Sequence, residues 1–303
     1  MKYLSSKWYS VIKPFDPWKS PLCTCPMKWV LNVYTGCGHG CIYCYASSYI
    51  PNYFNPRPKT DLTERIRRDL KKIPRGALIE LSTSSDPYTP IESKLMLTRR
   101  ALGIILSNGM RVLITTKSSI VVRDLEILAR YRGRIAVAIT ITTIRDDIAK
   151  KIEPKAPLPS ERLKALEILS RSGTPVIVRI DPLIPGINDD YNDLRKLVEK
   201  IAMLNAKQVT SSTYKAKPDN LARMKKAFPE LSKLFDELYI EKGMKIHGYR
   251  YLDTRTRYSY MKMVKEIVEE QGLVFQTCRE GFPNLNTPGF ACDGSTFTYE
   301  ELS

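Results

Sequence analysis

The sequence predicts an α/β protein built as an incomplete barrel of six strand–helix units. Short runs of aliphatic and β-branched residues alternate along the chain with longer stretches whose apolar residues recur at helical spacing. The strand runs are apolar throughout, which is typical of a parallel sheet buried on both faces. Because a complete barrel of this kind has eight units, we expect a partial (β/α)6 barrel of the TIM type that binds ligands at the carboxyl ends of its strands.

Each unit has a strand followed by a helical pattern. The six predicted strands are residues 29–34, 77–82, 111–116, 135–142, 175–181 and 208–213. The predicted helices between them are residues 61–73, 94–106, 120–131, 160–172 and 188–204. Asp61, within a capping box, and Ser160 are expected helix starts. Gly109 and Gly173 are expected helix ends.

Both ends of the chain depart from this unit. Residues 1–26 are rich in Pro, Trp and Tyr and are expected to form an arm packed on the barrel. Residues 216–303 are expected to form a C-terminal extension, with helices at 231–238 and 257–271 and a Gly-, Pro- and Asn-rich tail from Glu280. No low-complexity linker separates these parts, so we expect one domain with a barrel core at residues 27–215.

Composition and charge exclude several classes of protein. A hydrophobic fraction of 43% excludes a disordered chain, and no apolar run approaches the roughly 18 to 20 residues of a membrane span. The chain start lacks the apolar core of a signal peptide, so we expect a soluble, cytoplasmic protein. The 48 Lys and Arg residues against 32 Asp and Glu residues give a charge of +16. This charge favours a polyanionic partner or reflects the charged surface of a thermophilic protein.

Three of the seven cysteines form a motif directly after the first predicted strand. Cys37, Cys41 and Cys44 have the spacing C-x-x-x-C-x-x-C. Three thiolates on one loop can ligate three irons of a [4Fe-4S] cluster, which leaves the fourth iron open to a small molecule, as at a catalytic zinc site. The alternatives are a Cys3His zinc site that includes His39, or three cysteines that only pack.

This motif resembles that of the radical S-adenosylmethionine (SAM) superfamily, and the resemblance extends over about residues 27–215. It implies that the open iron binds the amino and carboxylate groups of SAM. It also implies that an electron from the cluster cleaves SAM to a 5′-deoxyadenosyl radical, which abstracts hydrogen from a substrate. Such a reaction implies an electron donor such as ferredoxin or flavodoxin.

Further segments resemble spore photoproduct lyase and the archaeal and bacterial relatives described as DNA repair photolyases. They are residues 84–92, 115–118, 141–143, 153–163 and 182–186, all near the carboxyl ends of predicted strands. The lyase has a cysteine three residues before the aspartate that Asp86 matches, and that cysteine returns hydrogen to the thymine product radical. This chain has Thr83 there, whose O–H bond is too strong for that step. The likeness therefore implies the fold and the cofactor, but not the lyase's substrate.

The resemblance also implies roles for single residues. Ser85 and Asp86 match a Ser-Asp pair near the methionyl end of SAM, and Lys117 matches the lysine that meets the SAM carboxylate. Thr140 or Thr142 matches a serine near the SAM ribose or sulfonium. No catalytic residue is assigned by this likeness.

Two pairs of residues have a structural alternative. Tyr43 and Tyr45 flank Cys44 and are expected to wall the adenine and the cluster, or else to pack the loop. Glu153 and Arg162 are expected to contact SAM or to form a surface salt bridge.

The other four cysteines lie near the two chain ends. If the ends converge over the barrel, Cys23, Cys25, Cys278 and Cys292 could hold a second iron–sulfur cluster. A disulfide or buried free thiols are the alternatives.

Basic residues interleave with tyrosines at residues 249–251 and 255–260, and a basic helix spans residues 65–75. The first pattern is typical of a surface that binds DNA or RNA, since Arg and Lys contact phosphates while Tyr stacks on bases. The alternative is the ordinary surface of a basic protein, with His247 as a packing residue.

These observations predict a radical SAM enzyme that repairs or modifies a nucleic acid, with the lyase or modification type left open. One alternative is a radical SAM enzyme that acts on a protein or a small metabolite. The alternative from another class is a zinc-dependent nucleic-acid-binding protein.

Overall fold

The computed structural model describes residues 9–15 and 20–299, so residues 1–8 and 16–19 of the predicted arm and residues 300–303 of the tail lie outside the described residues. An eight-stranded sheet forms the centre of the protein. The described strands are, in chain order, β1 (Ile12–Pro14), β2 (Trp29–Leu31), β3 (Tyr34–Thr35), β4 (Arg57–Pro58), β5 (Leu78–Leu81), β6 (Arg111–Thr116), β7 (Ile135–Thr140), β8 (Val176–Leu183), β9 (Gln208–Thr213), β10 (Met244–Ile246), β11 (Tyr249–Tyr251) and β12 (Val274–Thr277).

Helices connect most of the strands of the sheet. The described α-helices are, in chain order, α1 (Leu62–Leu70), α2 (Glu92–Leu95), α3 (Leu97–Ser107), α4 (Leu125–Arg130), α5 (Asp146–Ile152), α6 (Pro159–Arg171), α7 (Tyr191–Met203), α8 (Pro218–Ala227), α9 (Ser232–Asp236) and α10 (Thr254–Glu270). Within the described ranges, no helix is long and apolar enough to cross a membrane.

The sheet has the strand order β1-β2-β5-β6-β7-β8-β9-β12. Neighbouring strands are parallel except for β1 and β2, which are antiparallel. Because β1 and β12 lie at opposite edges, the barrel is open. The predicted partial α/β barrel is confirmed, and all six predicted strands are present. The arm adds β1 and the C-terminal extension adds β12, whose three and four residues are too few to show a period.

Alternation along the strands sorts side chains between two faces. Ile79 and Val112 belong to the large core between the sheet and its helices. Leu113 and Ile177 point to the other face, where Phe297 of the tail packs against them. The tail therefore fills the barrel interior near the amino ends of the strands. The inward-facing residues nearer the carboxyl end of each strand line that end of the barrel.

The two predicted helix starts lie within one residue of the observed ones, but the capping box predicted at Asp61 is absent. Asp61 precedes α1 with φ of 48° and makes no capping hydrogen bond through its side chain, because a side-chain cap needs an extended backbone at this position. Helix α6 begins one residue before Ser160, where Glu161 accepts a hydrogen bond from the backbone N–H of Leu158 at 2.7 Å. The predicted ends at Gly109 and Gly173 are confirmed, each with φ of 79°.

Several helices differ from the sequence-based assignment. The predicted helix at residues 94–106 divides at Met96, whose φ is 52°, and the one at 120–131 begins as a 3-10 helix. Helices α5 and α8 were not predicted. Both are short. In α5, residues of similar polarity are adjacent in sequence, so the helical spacing of apolar residues is not visible; the pairs are Asp146-Asp147, Ile148-Ala149 and Lys150-Lys151.

Candidate active site

The carboxyl ends of the parallel strands open into a cavity of about 750 Å³. Its wall includes the cysteine loop after β3, inward-facing strand residues and segments from both chain ends. The predicted cofactor-binding residues on this wall are Tyr43, Tyr45, Ser85, Lys117 and Thr140. Asp86 and Thr142 lie behind it, each buried and hydrogen-bonded to a neighbour.

The loop that carries Cys37, Cys41 and Cys44 turns sharply at Gly36. Gly36 has φ of 84°, and a Cβ at this position would lie 2.4 Å from the carbonyl oxygen of Tyr53. Only glycine fits this close approach in a left-handed conformation. The backbone N–H of Cys37 donates to the same Tyr53 carbonyl at 2.7 Å. The loop conformation is therefore fixed by its own backbone contacts.

Two of the three thiols are buried and the third faces the cavity. Cys37 and Cys41 are buried, whereas Cys44 is half-buried and lies on the cavity wall. Burial raises the pKa of Cys41 to about 12 and raises the pKa of Cys37 well above its usual value. Thiols of this kind ionise when a metal centre supplies positive charge. Three soft donors on one loop beside a cavity fit an iron–sulfur cluster.

Asp86 joins the loop to the end of β6. Its carboxylate accepts hydrogen bonds from the Thr116 hydroxyl at 2.7 Å and from the backbone N–H of Lys117 at 2.8 Å. His39 Nδ1 lies 3.4 Å from Asp86 Oδ2. Burial by itself raises the pKa of Asp86, but the His39 contact and these donors outweigh it and lower the pKa. Asp86 is thus placed to position the loop and Lys117.

The same contact bears on the zinc alternative. His39 pairs with Asp86 instead of joining the three thiols as a fourth ligand. Within the part of the chain that the structure describes, no group of three or more His, Cys, Asp or Glu side chains surrounds a single-ion position.

Glu153 and Arg162 form a buried ion pair behind Tyr43. Their Oε2 and Nη2 atoms lie 2.5 Å apart, and both side chains are fully buried. The Tyr43 hydroxyl donates to Glu153, and the Thr142 hydroxyl donates to the same carboxylate at 3.2 Å. The expected surface salt bridge is therefore wrong, because the pair lies in the interior and supports Tyr43. Of the two candidate threonines, Thr140 lines the cavity and Thr142 serves Glu153.

Lys117 presents a cation beside the cysteine loop. Its Nζ lies 5.6 Å from the centroid of the Tyr43 ring. Burial lowers the pKa of Lys117, but Cys41 and Glu153 more than offset this and raise the pKa. The ammonium therefore stays charged at neutral pH, as the binding of a carboxylate at this position requires.

Strand β8 contributes two charged wall residues that sequence reasoning missed. Arg179 and Asp181 point inward, and Arg179 Nη2 lies 2.5 Å from Asp181 Oδ2. Two charged residues two positions apart in an otherwise apolar strand were an available signal, since they share one face. Lys215, just past β9, also lines the cavity and lies 3.2 Å from Glu280. Its pairing with a tail residue gave no sequence signal.

A smaller hollow of about 300 Å³ adjoins the cavity, and we call it the mouth. Tyr49, Lys217, His247, Tyr249 and Arg279 contribute to its lining, and Arg279 lines the main cavity as well. Lys217 Nζ lies 4.5 Å from the centroid of the Tyr249 ring, and the Arg279 guanidinium lies 4.9 Å from it. Cationic and aromatic groups thus meet where the two hollows join.

The predicted nucleic-acid surface at residues 249–251 and 255–260 is wrong for three of its members. Tyr251 is fully buried, and Arg257 is only 2% exposed. Arg257 Nη1 lies 3.1 Å from Glu280 Oε2, so its guanidinium is committed to a buried carboxylate. Tyr249 from the same segment is also buried, at 4% exposed, although it contributes to the lining of the mouth. The basic helix α1 packs against α3 and β1, on the outer side of the sheet.

The structure also brings the four remaining cysteines to the cavity. Cys23, Cys25, Cys278 and Cys292 all lie on its wall, and Cys25 Sγ is 3.4 Å from Cys292 Sγ. All four are free thiols. The expected convergence of the two chain ends is confirmed.

Comparison with known protein sequences identifies the family. A family model described as the Radical SAM superfamily matches residues 31–199. An uncharacterized protein of Acidianus two-tailed virus is 29% identical over 233 residues, which cover 71% of this chain and 76% of the relative. An uncharacterized protein of Methanocaldococcus jannaschii is 33% identical over 179 residues, 58% of this chain and 67% of the relative. The Radical SAM Nalpha-GlyT isomerase of Pseudomonas phage M6 is 23% identical over 269 residues, 85% of this chain and 55% of that protein.

Solved structures share the fold. A spore photoproduct lyase variant with bound AdoMet and dinucleoside spore photoproduct has a TM-score of 0.66 and 17% identity, covering 82% of this chain and 75% of that one. A further spore photoproduct lyase structure, complexed with dinucleoside spore photoproduct, has a TM-score of 0.65 and 18% identity with the same coverage. Since the family model matches more than half of the chain, and the cysteine loop opens on the cavity at the carboxyl end of the barrel, this chain belongs to the radical SAM superfamily and is a radical SAM enzyme.

Proposed function

We propose that this radical SAM enzyme acts on a nucleic acid, which it repairs or modifies by hydrogen abstraction. The observation that carries the proposal is the mouth, where Lys217 and Arg279 flank the Tyr249 ring beside the main cavity. Lys and Arg side chains bind phosphates, and the Tyr49 ring, which lines the mouth and is 39% exposed, would stack on a base. The net charge of +16 would draw a polyanion toward this opening.

The cofactor would occupy the inner part of the cavity. Cys37, Cys41 and Cys44 would hold a [4Fe-4S] cluster, and Lys117 would bind the carboxylate of SAM as a point charge. When bound, the cluster and SAM supply a carbon-centred radical that removes a hydrogen atom from the substrate. Thr140, at the end of β7, would contribute a hydroxyl from the cavity wall.

Other residues would position these groups. Ser85 lines the cavity next to buried Asp86, which holds the backbone of Lys117 through its N–H. Tyr43, fixed by the buried Glu153–Arg162 pair, presents its ring to Lys117. Tyr45 lines the cavity in edge-to-face contact with Tyr249, with ring centroids 5.5 Å apart. Tyr45 would therefore connect the cofactor region with the mouth.

The relatives give this proposal further support. The spore photoproduct lyase structures that share the fold contain a dinucleoside photoproduct. By the sequence resemblance, this chain has Thr83 where the lyase has its hydrogen-donating cysteine, and Thr83 lines the cavity. A threonine hydroxyl does not return hydrogen to a carbon radical, so the proposal covers a nucleic-acid substrate but not the lyase's own reaction.

The reaction also needs a source of electrons. We also propose a cytoplasmic location, because thiolate ligands stay reduced in that compartment. We infer a ferredoxin- or flavodoxin-type donor that reduces the loop cluster in that compartment.

SAM cleavage in the presence of candidate substrates tests the substrate class. Anaerobically reconstituted, dithionite-reduced protein is incubated with SAM and, separately, with DNA, RNA, protein or metabolite pools, and 5′-deoxyadenosine is measured by mass spectrometry. We expect a nucleic-acid pool to increase the release of 5′-deoxyadenosine, and a deuterated nucleic-acid pool to transfer deuterium to it. Stimulation by a protein or metabolite pool alone would contradict the proposal.

A substitution in the mouth tests the proposed binding surface. Lys217→Ala removes one phosphate-binding charge, so we expect weaker binding of a fluorescent oligonucleotide and a slope of log affinity against log salt that is smaller by about one. Lys200→Ala removes the same charge from the exposed outer face of α7 and serves as the control. Equal affinities and salt slopes for the two variants would contradict the role of the mouth.

A further inference from the structure

The four cysteines near the chain ends form a second group of metal-binding side chains, apart from the SAM loop. Cys23 and Cys25 precede β2, whereas Cys278 follows β12 and Cys292 lies in the tail. Cys25 Sγ lies 3.4 Å from Cys292 Sγ although 267 positions separate the two residues. The Cys23 thiol also forms a hydrogen bond with Cys25. Cys25 therefore has two thiol neighbours, so one disulfide would not account for the group.

Separate elements hold the four sulfur atoms in place. Pairing of β12 with β9 sets Cys278, whose backbone N–H donates to the Ser211 carbonyl at 2.9 Å. The Thr210 hydroxyl donates to the carbonyl of Cys292 at 2.9 Å. Both partners belong to β9, a central element of the barrel. The two C-terminal cysteines are thus fixed by the barrel itself.

A buried ion network ties the N-terminal pair to the tail. Lys28 Nζ lies 2.6 Å from Asp293 and 2.6 Å from Glu80, and all three residues are buried. Lys28 follows Cys25 by three residues, and Asp293 is adjacent to Cys292. Breaking this network would separate the two thiols, so a buried charge cluster maintains the approach of Cys25 to Cys292.

The surroundings suit a thiolate-ligated metal centre. Arg179 forms a hydrogen bond with Cys278, and Lys28 and Arg179 both interact electrostatically with Cys25. Cationic neighbours stabilise thiolates, which are the metal-binding form of cysteine. All four cysteines line the cavity, which offers space beside them.

We propose that Cys23, Cys25, Cys278 and Cys292 ligate a second iron–sulfur cluster. Four thiolates satisfy such a cluster completely. The site joins the segment before β2 to the end of β12 and to the tail, so it bridges the open side of the barrel. It faces the same cavity as the SAM loop, and a substrate in that cavity would therefore lie between the two centres. The inference goes beyond the proposed function, because it holds for any substrate class.

The test measures iron and sulfide in wild-type protein and in two variants reconstituted anaerobically. The loop variant carries Cys37→Ala, Cys41→Ala and Cys44→Ala, and the end variant carries alanine at the four proposed ligands. We expect each variant to retain about half of the wild-type iron with equimolar sulfide, and the combined variant to retain none. The loop variant should also keep an electron paramagnetic resonance (EPR) signal after reduction that SAM does not alter.

Three results would overturn the proposal. They are a loop variant without iron, an end variant with all of the wild-type iron, and a loop variant that contains one zinc per chain. Circular dichroism checks that each variant folds. If a variant does not fold, wild-type protein decides the question: about eight iron atoms per chain and two EPR signals, one of them insensitive to SAM, support two clusters, whereas about four atoms and one signal do not. Neither the iron content nor the EPR signals depend on the nucleic-acid substrate. A negative result would therefore contradict the second cluster without contradicting the proposed function.

Discussion

Two groups of cysteines reach the same cavity by different routes. Cys37, Cys41 and Cys44 lie within eight residues of one loop, and the turn at Gly36 gives that loop its conformation. The four end cysteines come from two ends of the chain, and 267 positions separate Cys25 from Cys292. The first group depends on local backbone geometry, whereas the second depends on the barrel and on a buried ion network. A motif with local spacing can therefore be identified from sequence, while a convergent site needs the fold.

The largest difference between the two cysteine groups is expected in SAM cleavage, which should depend on the loop cysteines. Cys41→Ala removes a ligand of the cluster that carries the radical chemistry, so we expect SAM cleavage to fall by at least about 1,000-fold. The measurement is 5′-deoxyadenosine release by the reduced, reconstituted protein without substrate. Ser107→Ala, at the exposed end of α3, serves as the control. Cleavage within tenfold of wild type in Cys41→Ala would contradict the assignment of the loop.

Each cysteine group lies near a buried ion pair, and the two pairs are expected to differ in their contribution to the free energy of unfolding. Glu153→Gln leaves Arg162 buried without its only carboxylate partner among the described ion pairs, so we expect a loss of about 3 to 5 kcal/mol in the free energy of unfolding. Glu80→Gln leaves Lys28 with Asp293, and we expect a loss of about 1 to 2 kcal/mol. Urea denaturation of the two apo variants checks this order, and a greater loss in Glu80→Gln would contradict it.

A substitution at Lys117 tests whether the group of residues around the loop binds SAM. A charge-assisted hydrogen bond contributes about 1.5 to 3 kcal/mol, so Lys117→Ala is expected to raise the KM for SAM about 10- to 100-fold. The iron content of the loop cluster should not change, because lysine is not a ligand. Lys200→Ala provides the matched control. An unchanged KM would remove Lys117 from the SAM site, and lost iron would give it a structural role instead.

Sequence reasoning predicted the barrel well because its signal is repeated and local. The six core strands are apolar runs, and Gly109 and Gly173 mark helix ends by their own backbone preference. Strand β12 could not be predicted in the same way, since its four residues join the sheet only through pairing with β9. The site divides along the same line. Cys41 was identified from spacing, whereas Lys215 was missed because its partner Glu280 lies 65 positions away and only the fold brings the two together.

The last and smallest predicted effect concerns the charge of Asp181, which lines the cavity near the end cysteines. Arg179 contacts both Asp181 and Cys278. Burial raises the pKa of Asp181, but Arg179, Lys215 and the Ser212 hydroxyl outweigh this and hold the pKa at about 2. An unfolded aspartate has a pKa of about 3.9, so the ionised form favours the folded state. This contribution is complete above about pH 4 and is lost as the pH falls towards 2.

Asp181→Asn removes this contribution, so the variant is expected to be less stable than wild type by about 2 kcal/mol at pH 7. The difference should shrink as the pH falls from about 4 to about 2, because wild-type Asp181 then becomes protonated and resembles the amide. Urea denaturation at several pH values measures it. The exposed carboxylate of Asp147, paired with Arg145, supplies the control, and Asp147→Asn should give a smaller change because solvent screens that pair. A difference for Asp181→Asn that stays constant from pH 7 to pH 2 would mean that Asp181 acts through packing and not through its charge.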